Sequence, residues 1–327
     1  MATSPRSALA RTLRALGLRL LYGVISLLFI SLVTFLVDEI APGDPALTLV
    51  GEKGRQEQYL RLREEMGLNR PWPVRYVEFV GQAARFDFGE SLIGVKRPVA
   101  EILGQAIPIT MRIALYAVLV AAFVGIVLGT LAAVNEGKWF DNVALGFSTL
   151  GVTIPNYVLL PILVLIFAVQ LDQLPTSWAP PNRQIAPEIF YLALPVFVLS
   201  LRPMATLTRL MRASMIDALK QEYVRLAVAK GVPPARIVMR HCFRNAILPV
   251  LTMIGTSFGF LLTGSFVVEQ AYVIPGIGFI TLDAIVKNDT PVILAATFVT
   301  GAMFVLVNLA VDLVSPLVDP RIRESQI

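Results

Sequence analysis

EYVRLAVAKGVPPARIVMRHCFRNAILP, residues 222–249, decides how the chain is read. It carries Arg225, Lys230, Arg236, Arg240 and Arg244 against one acid, Glu222. Directly after it, Ala246 to Val268 hold no charge. Gly231 suits a left-handed helix cap, and Pro233 and Pro234 forbid continuation. The spacing therefore predicts a helix over 214–230, a break, and a second helix. On the first, Met215, Leu219, Glu222/Tyr223, Leu226 and Lys230 recur at steps of three and four, leaving one face largely apolar. On the second, Arg236, Arg240 and Arg244 at i, i+4 and i+8 form a basic stripe.

The rest of the chain is as apolar as the flank of that segment. Only 16% of its 327 residues are charged, against about 25% in a soluble domain. A membrane span needs about 20 mostly apolar residues. Leu20–Val37, Ile113–Val134, Asn142–Leu171, Ala246–Val268 and Pro291–Val311 are uncharged runs of that kind. A weaker sixth runs from about Ile189 to Thr208 and is broken by Arg202. The expected fold class is an all-α polytopic membrane protein with six transmembrane helices.

Orientation follows the Lys and Arg residues near span ends. Arg6, Arg11, Arg14 and Arg19 crowd the N-terminal tail without an acid. Between Arg202 and Pro249 nine basic residues face two acids, Asp217 and Glu222. Both segments are expected in the cytoplasm. Six crossings place them on one side, with both termini cytoplasmic. The first apolar run is too long for the usual signal-peptide core of about 7–15 residues, and no small-x-small site follows at once, so it is expected to stay as a span.

The division expected is a cytoplasmic tail 1–19, a first span 20–39, an external loop or cap 40–107, and a core 108–327 with the other five spans. In the cap, two short helices flank the stretch from Asn69 to Pro73, prolines ending one and starting the other. A loop of this length without structure is uncommon. Asp172–Glu188 and Glu269–Thr290 are the other external loops. Pro275, Gly276 and Gly278 break any helix in the last.

Several chemistries are excluded. Cys242 has no second cysteine to pair with. His241 and Cys242 have no further His or Cys to complete a zinc site, so no metal is expected. His241 is the sole imidazole and no G-x-S-x-G is present, which argues against a Ser-His-Asp hydrolase. No G-x-x-x-x-G-K-[ST] is present, so the chain has no loop of that kind to cradle ATP phosphates. Four readings are weighed on residues alone. The basic loop is an orientation signal on anionic headgroups, or it docks in a partner's groove, since it has an apolar face and a bent geometry. A secondary transporter or channel acting alone would need coupling charges within the spans, which are nearly devoid of them. A membrane enzyme lacks clustered acids, bases or ligands.

The 222–249 stretch resembles the cytoplasmic "EAA" loop of permease subunits of ATP-binding-cassette importers. More narrowly, the chain resembles the dipeptide/oligopeptide (and nickel) permease family. The motifs run in order: PGDP at 42–45, MGLNRPWPVRY at 66–76, DFGES at 87–91 and LAAVNEGKWFD at 131–141. TRLMRASMIDAL, EYVRLAVAKG and RNAILPVLTMIG follow within 208–255, then IPGIG at 274–278, NLAVDL at 308–313 and DPRIR at 319–323. Arg225 departs from the general pattern, which has its name-giving Glu there.

This resemblance implies a type I ABC importer permease fold, forming half of a pore in a bacterial or archaeal cytoplasmic (inner) membrane. The implied partners are a second homologous permease subunit, two ATPase subunits that bind ATP and Mg, and an extracytoplasmic solute-binding protein, with no nucleic acid. The chain would bind no cofactor and catalyse nothing. Its coupling loop is 213–245. In it Tyr223 is expected as a packing anchor, Ala227 as a close-approach position and Gly231 as the turn. Arg225 and Lys230 are expected to pair with acids on the ATPase. Arg202 is either a pathway residue facing a peptide carboxylate or a cation snorkelling to the cytoplasmic edge. The implied solute is a di- or oligopeptide, with nickel chelates, glutathione and oligosaccharides as alternatives.

Overall fold

The computed structural model describes residues 5–40, 44–50, 55–93, 96–183, 185 and 187–318, without the side chains of 5–16, 48, 181 and 315–318. Pro42 and Gly43 of PGDP and the whole of DPRIR lie outside the described residues, as do the side chains of Arg6, Arg11 and Arg14. The chain is helical: α1 (Pro5–Ile40), α2 (Pro45–Val50), α3 (Gln56–Glu65), α4 (Trp72–Ala83), α5 (Val99–Val134), α6 (Trp139–Thr153), α7 (Asn156–Leu163), α8 (Glu188–Leu219), α9 (Glu222–Ala229), α10 (Pro234–Arg236), α11 (Phe243–Gly264), α12 (Phe266–Ala271), α13 (Ile277–Lys287) and α14 (Thr290–Val318). A π-helical stretch extends α7 over Val164–Gln170, and another joins α10 to α11 over Ile237–Cys242. Among the described residues the one β feature is an isolated bridge, Glu90 to Pro98.

Five helices are long and apolar enough to cross a bilayer, and a bent pair makes a sixth, so the protein is an all-α polytopic membrane protein. Two features differ from the sequence expectation. The clean run 142–171 is not one rod: α6 and the α7 segment meet at 102°. Pro155 is the cause, because the residue before a proline is pushed out of the helical region; Ile154 is extended, with φ −81° and ψ 121°. The run with a charge in it, by contrast, is continuous over the 32 residues of α8. Of its most apolar window 67% is buried in protein, against 11% for the first span. A helix surrounded by protein needs fewer lipid-compatible side chains.

The helices form two compact units, Met1–Pro108 with Pro275–Leu309, and Ile109–Ile274 with Ala310–Ile327. In the first, Tyr76 of α4 lies against α1. Its hydroxyl donates to the Leu28 carbonyl at 2.9 Å, and its ring meets Phe35 edge-on at 5.6 Å. Phe88, Val99, Leu103, Ile277 and Ala295 form the core. Asp289, buried, binds the DFGES segment: Ser91 Oγ donates to Oδ2 at 2.5 Å and the Leu92 N–H to Oδ1 at 3.1 Å. Two short helices form here as expected, and Pro71 at the N-cap starts α4, but the gap between them is Met66–Pro71, and Gly67 at φ +65°, not a proline, ends α3.

In the second unit α8 packs on both α6 and α11. It also lies against α5 with no room to spare: a Cβ on Gly129 would sit 2.5 Å from the Thr208 carbonyl oxygen. Small residues at such crossings let backbones meet, which is how helices associate when lipid is as apolar as leucine.

Candidate functional site

The segment between α8 and α11 is built from short pieces. The helix expected over 214–230 is split, because α8 stops at Leu219 and Gln221, extended at φ −71° and ψ 151°, opens α9. Neither Gly nor Pro marks that break. The second break falls where the sequence puts it. Gly231 has φ +74°, the Gly231 N–H donates to Val228 O at 2.9 Å and the Val232 N–H to Ala227 O at 3.1 Å. Those two bonds are the Schellman closure of a helix C-terminus. Pro233, extended at ψ 140°, then starts α10. The expected α-helical stripe of Arg236, Arg240 and Arg244 is interrupted by the π-helical stretch, in which the Phe243 N–H reaches back to Val238. All three arginines are exposed.

α9 has two faces, and the structure sorts the predicted residues between them. Val224 and Ala227 are buried in a core with Met215, Ile237, Cys242 and Ala246, and Tyr223 and Val232 pack on it. The Tyr223 hydroxyl accepts a hydrogen bond from Asn245 Nδ2 at 3.1 Å, which ties α9 to α11. Tyr223 and Ala227 thus anchor the helix to its own chain. The opposite face presents Arg225, Leu226, Val228 and Lys230 to the outside, with Leu226 63% and Val228 61% exposed. Leu226 and Val228 are thus exposed apolar side chains set between the cations Arg225 and Lys230.

Two ionic contacts, neither singled out from the sequence, hold the end of α8 beside this segment. Arg212 of α8 donates from Nε and Nη2 to Asp141 Oδ1 and Oδ2 at 2.5 and 2.6 Å. Asp141 is only 1% exposed and also accepts from the Gly137 N–H at 2.9 Å. Planar two-pronged pairing of this kind holds direction as well as distance. Nearby, Lys220 reaches Glu136 at 3.3 Å. The available signal was the NEGKWFD run, which supplies Glu136, Gly137 and Asp141 to the end of α8.

Arg202 lies elsewhere, about 21 Å along α8 from Glu188 at 1.5 Å per residue. Its side chain is exposed, while Leu201, Pro203, Met204 and Ala205 around it are buried. It lines a cavity of about 420 Å³ with Asn156, Thr206, Ser257, Phe260 and Thr263.

Comparison with known proteins extends the likeness over almost the whole chain. Residues 125–324 match the family described as "Binding-protein-dependent transport system inner membrane component", and residues 12–114 match its N-terminal companion. The chain is 35% identical over 307 residues to the "Probable peptide ABC transporter permease protein y4tP" of Sinorhizobium fredii (strain NBRC 101917 / NGR234), covering 93% of this chain and 97% of the relative. To the "Dipeptide transport system permease protein DppB" of Bacillus subtilis (strain 168) it is 34% identical, covering 91% and 94%. To the "Oligopeptide transport system permease protein AppB" of the same organism it is 35% identical, covering 93% and 98%.

Proposed function

This chain belongs to the family of binding-protein-dependent transport system inner membrane components, and from that premise we propose that it is one permease half of an ATP-driven importer of short peptides. The observation that carries the coupling part is the two-faced α9: Val224 and Ala227 are anchored inward, while Arg225, Leu226, Val228 and Lys230 point away from the chain. That outer face fits a groove on an ATPase subunit, with the leucine and valine desolvated at its centre and the cations against acids at its rim.

The mechanism is rigid transmission. Two ATPase subunits bind ATP and Mg and close on each other; the permease hydrolyses nothing. Each carries an α9 with it. A displacement of α9 reaches the spans only if the links are stiff. Tyr223–Asn245 transmits it to α11, and the buried core and the Arg212–Asp141 pair transmit it to α8 and α6. Rotation of those helices exchanges outward for inward access. The basic tail and the 213–245 loop lie on the cytoplasmic side of a bacterial inner membrane. A second, homologous permease completes the pore, and an extracytoplasmic binding protein delivers the peptide.

The test is uptake of labelled peptide by proteoliposomes containing the two permeases, the two ATPase subunits and the binding protein. Uptake is expected to need ATP and to stop with vanadate. Transport by this chain alone, or a 213–245 loop labelled from outside the cell, overturns the reading.

A further inference from the structure

A cation inside a membrane span is costly unless it faces protein, water or an opposite charge. Among the described residues, no carboxylate forms an ion pair with Arg202. Its helix buries the residues on either side, and Arg202, exposed, lines the cavity of about 420 Å³. That volume is on the scale of pockets that take small molecules, about 300–1,000 Å³. The remaining polar lining is neutral: Asn156, Thr206, Ser257 and Thr263, beside the ring of Phe260. The cavity therefore holds one positive charge and several neutral polar groups in a mainly apolar lining that includes Leu199, Met253, Phe260 and Leu261. A guanidinium fork matches a carboxylate in shape as well as charge.

We propose that this cavity receives the C-terminal end of the transported peptide, with Arg202 binding its carboxylate and Phe260 flanking the adjoining side chain. The proposal rests on the peptide-importer reading above. It assigns to the permease a check for a free carboxylate that follows release from the binding protein.

The experiment uses the complete reconstituted importer, with a peptide and its C-terminal amide each loaded to saturation on the binding protein. Initial uptake of the free acid is expected to exceed that of the amide by at least about tenfold, the scale of one charge-assisted hydrogen bond. R202Q is expected to abolish that preference and R202K to keep most of it. T206E, which sets a carboxylate one helical turn from Arg202, is expected to slow the free acid selectively, and it decides the matter if R202Q does not assemble with its partners. Equal uptake of acid and amide by the wild type overturns the proposal. So does an unchanged preference in R202Q or T206E. A uniform slowing of both peptides in R202Q, with the preference kept, likewise overturns it. If the wild-type importer moves no peptide in an ATP-dependent way, the peptide-importer reading itself falls, and this assignment with it.

Discussion

Arg212 and Asp141, 71 residues apart in the chain, meet through two parallel hydrogen bonds of 2.5 and 2.6 Å. The carboxylate side chain is 2% exposed and the guanidinium 22%. The pair joins the start of α6 to the last turns of α8, close to where α9 departs. A pair of this kind adds little net stability over an apolar replacement, but removing one partner strands the other charge.

Asp141→Ala is therefore expected to destabilise the protein by about 3 kcal/mol, the lower end of the range for buried pairs because Arg212 keeps some solvent. Asp141→Ala combined with Arg212→Ala is expected to cost less than the two single changes together. Thermal unfolding in detergent of the two single variants and the double variant measures this; additive losses would show that the pair is not coupled.

Gly231 stands at φ +74° with nothing within 4 Å of the position a Cβ would take. Substitution there costs backbone strain alone, about 1–2 kcal/mol for an ordinary L residue and less for Asn. Gly231→Val is expected to lower transport with little effect on unfolding of the spans, and Gly231→Asn to retain most of it. Equal activity of wild type and Gly231→Val would mean that the turn does not set the angle of α9.

Leu226 and Arg225 face outward. Leu226→Glu and Arg225→Glu are expected to change the unfolding free energy by less than about 0.5 kcal/mol, as for surface changes generally. Both are expected to release the ATPase subunits during co-purification, by reversing or charging the contact surface. Retention of the ATPase at wild-type stoichiometry in both variants counts against docking through this face.

Tyr272, fully buried between α12 and the following turn, donates to the Pro175 carbonyl at 2.5 Å. Burial, with a smaller contribution from Tyr191, pushes its hydroxyl up from 10.0 to about 12. Because the folded value is raised, its contribution is intact below pH 10 and is lost as pH climbs through 12. A difference titration between wild type and Tyr272→Phe is expected to place the tyrosinate midpoint of this residue near pH 12, well above that of an ordinary tyrosine. Ionisation near pH 10 would place the phenol in water.

The spans, the basic loop and the Gly231 turn were legible because each is written locally. A run of apolar residues of membrane length, a glycine at a left-handed cap and a proline pair act within one or two turns of chain. The bend after Thr153 was also local in cause, since Pro155 stands in the sequence, but the unbroken hydropathy of 142–171 hid it. The break at Lys220–Gln221 was not legible, because neither residue is a helix breaker. Nor was the π-helical stretch that interrupts the arginine stripe.

The amino-acid sequence alone determined that this chain crosses a membrane about six times, and that it carries a charged, bent segment between two of those crossings. Solvent preference and backbone sterics are properties of each residue and its near neighbours, so they survive without a partner in space. Tertiary structure alone decided which face of α9 is anchored and which is free. It also decided that Asp141 pairs with Arg212, and that Arg202, on the most protein-enclosed span, lines a cavity shared with α7 and α11. Those outcomes depend on what lies across from a side chain, and residues far apart in sequence supply it.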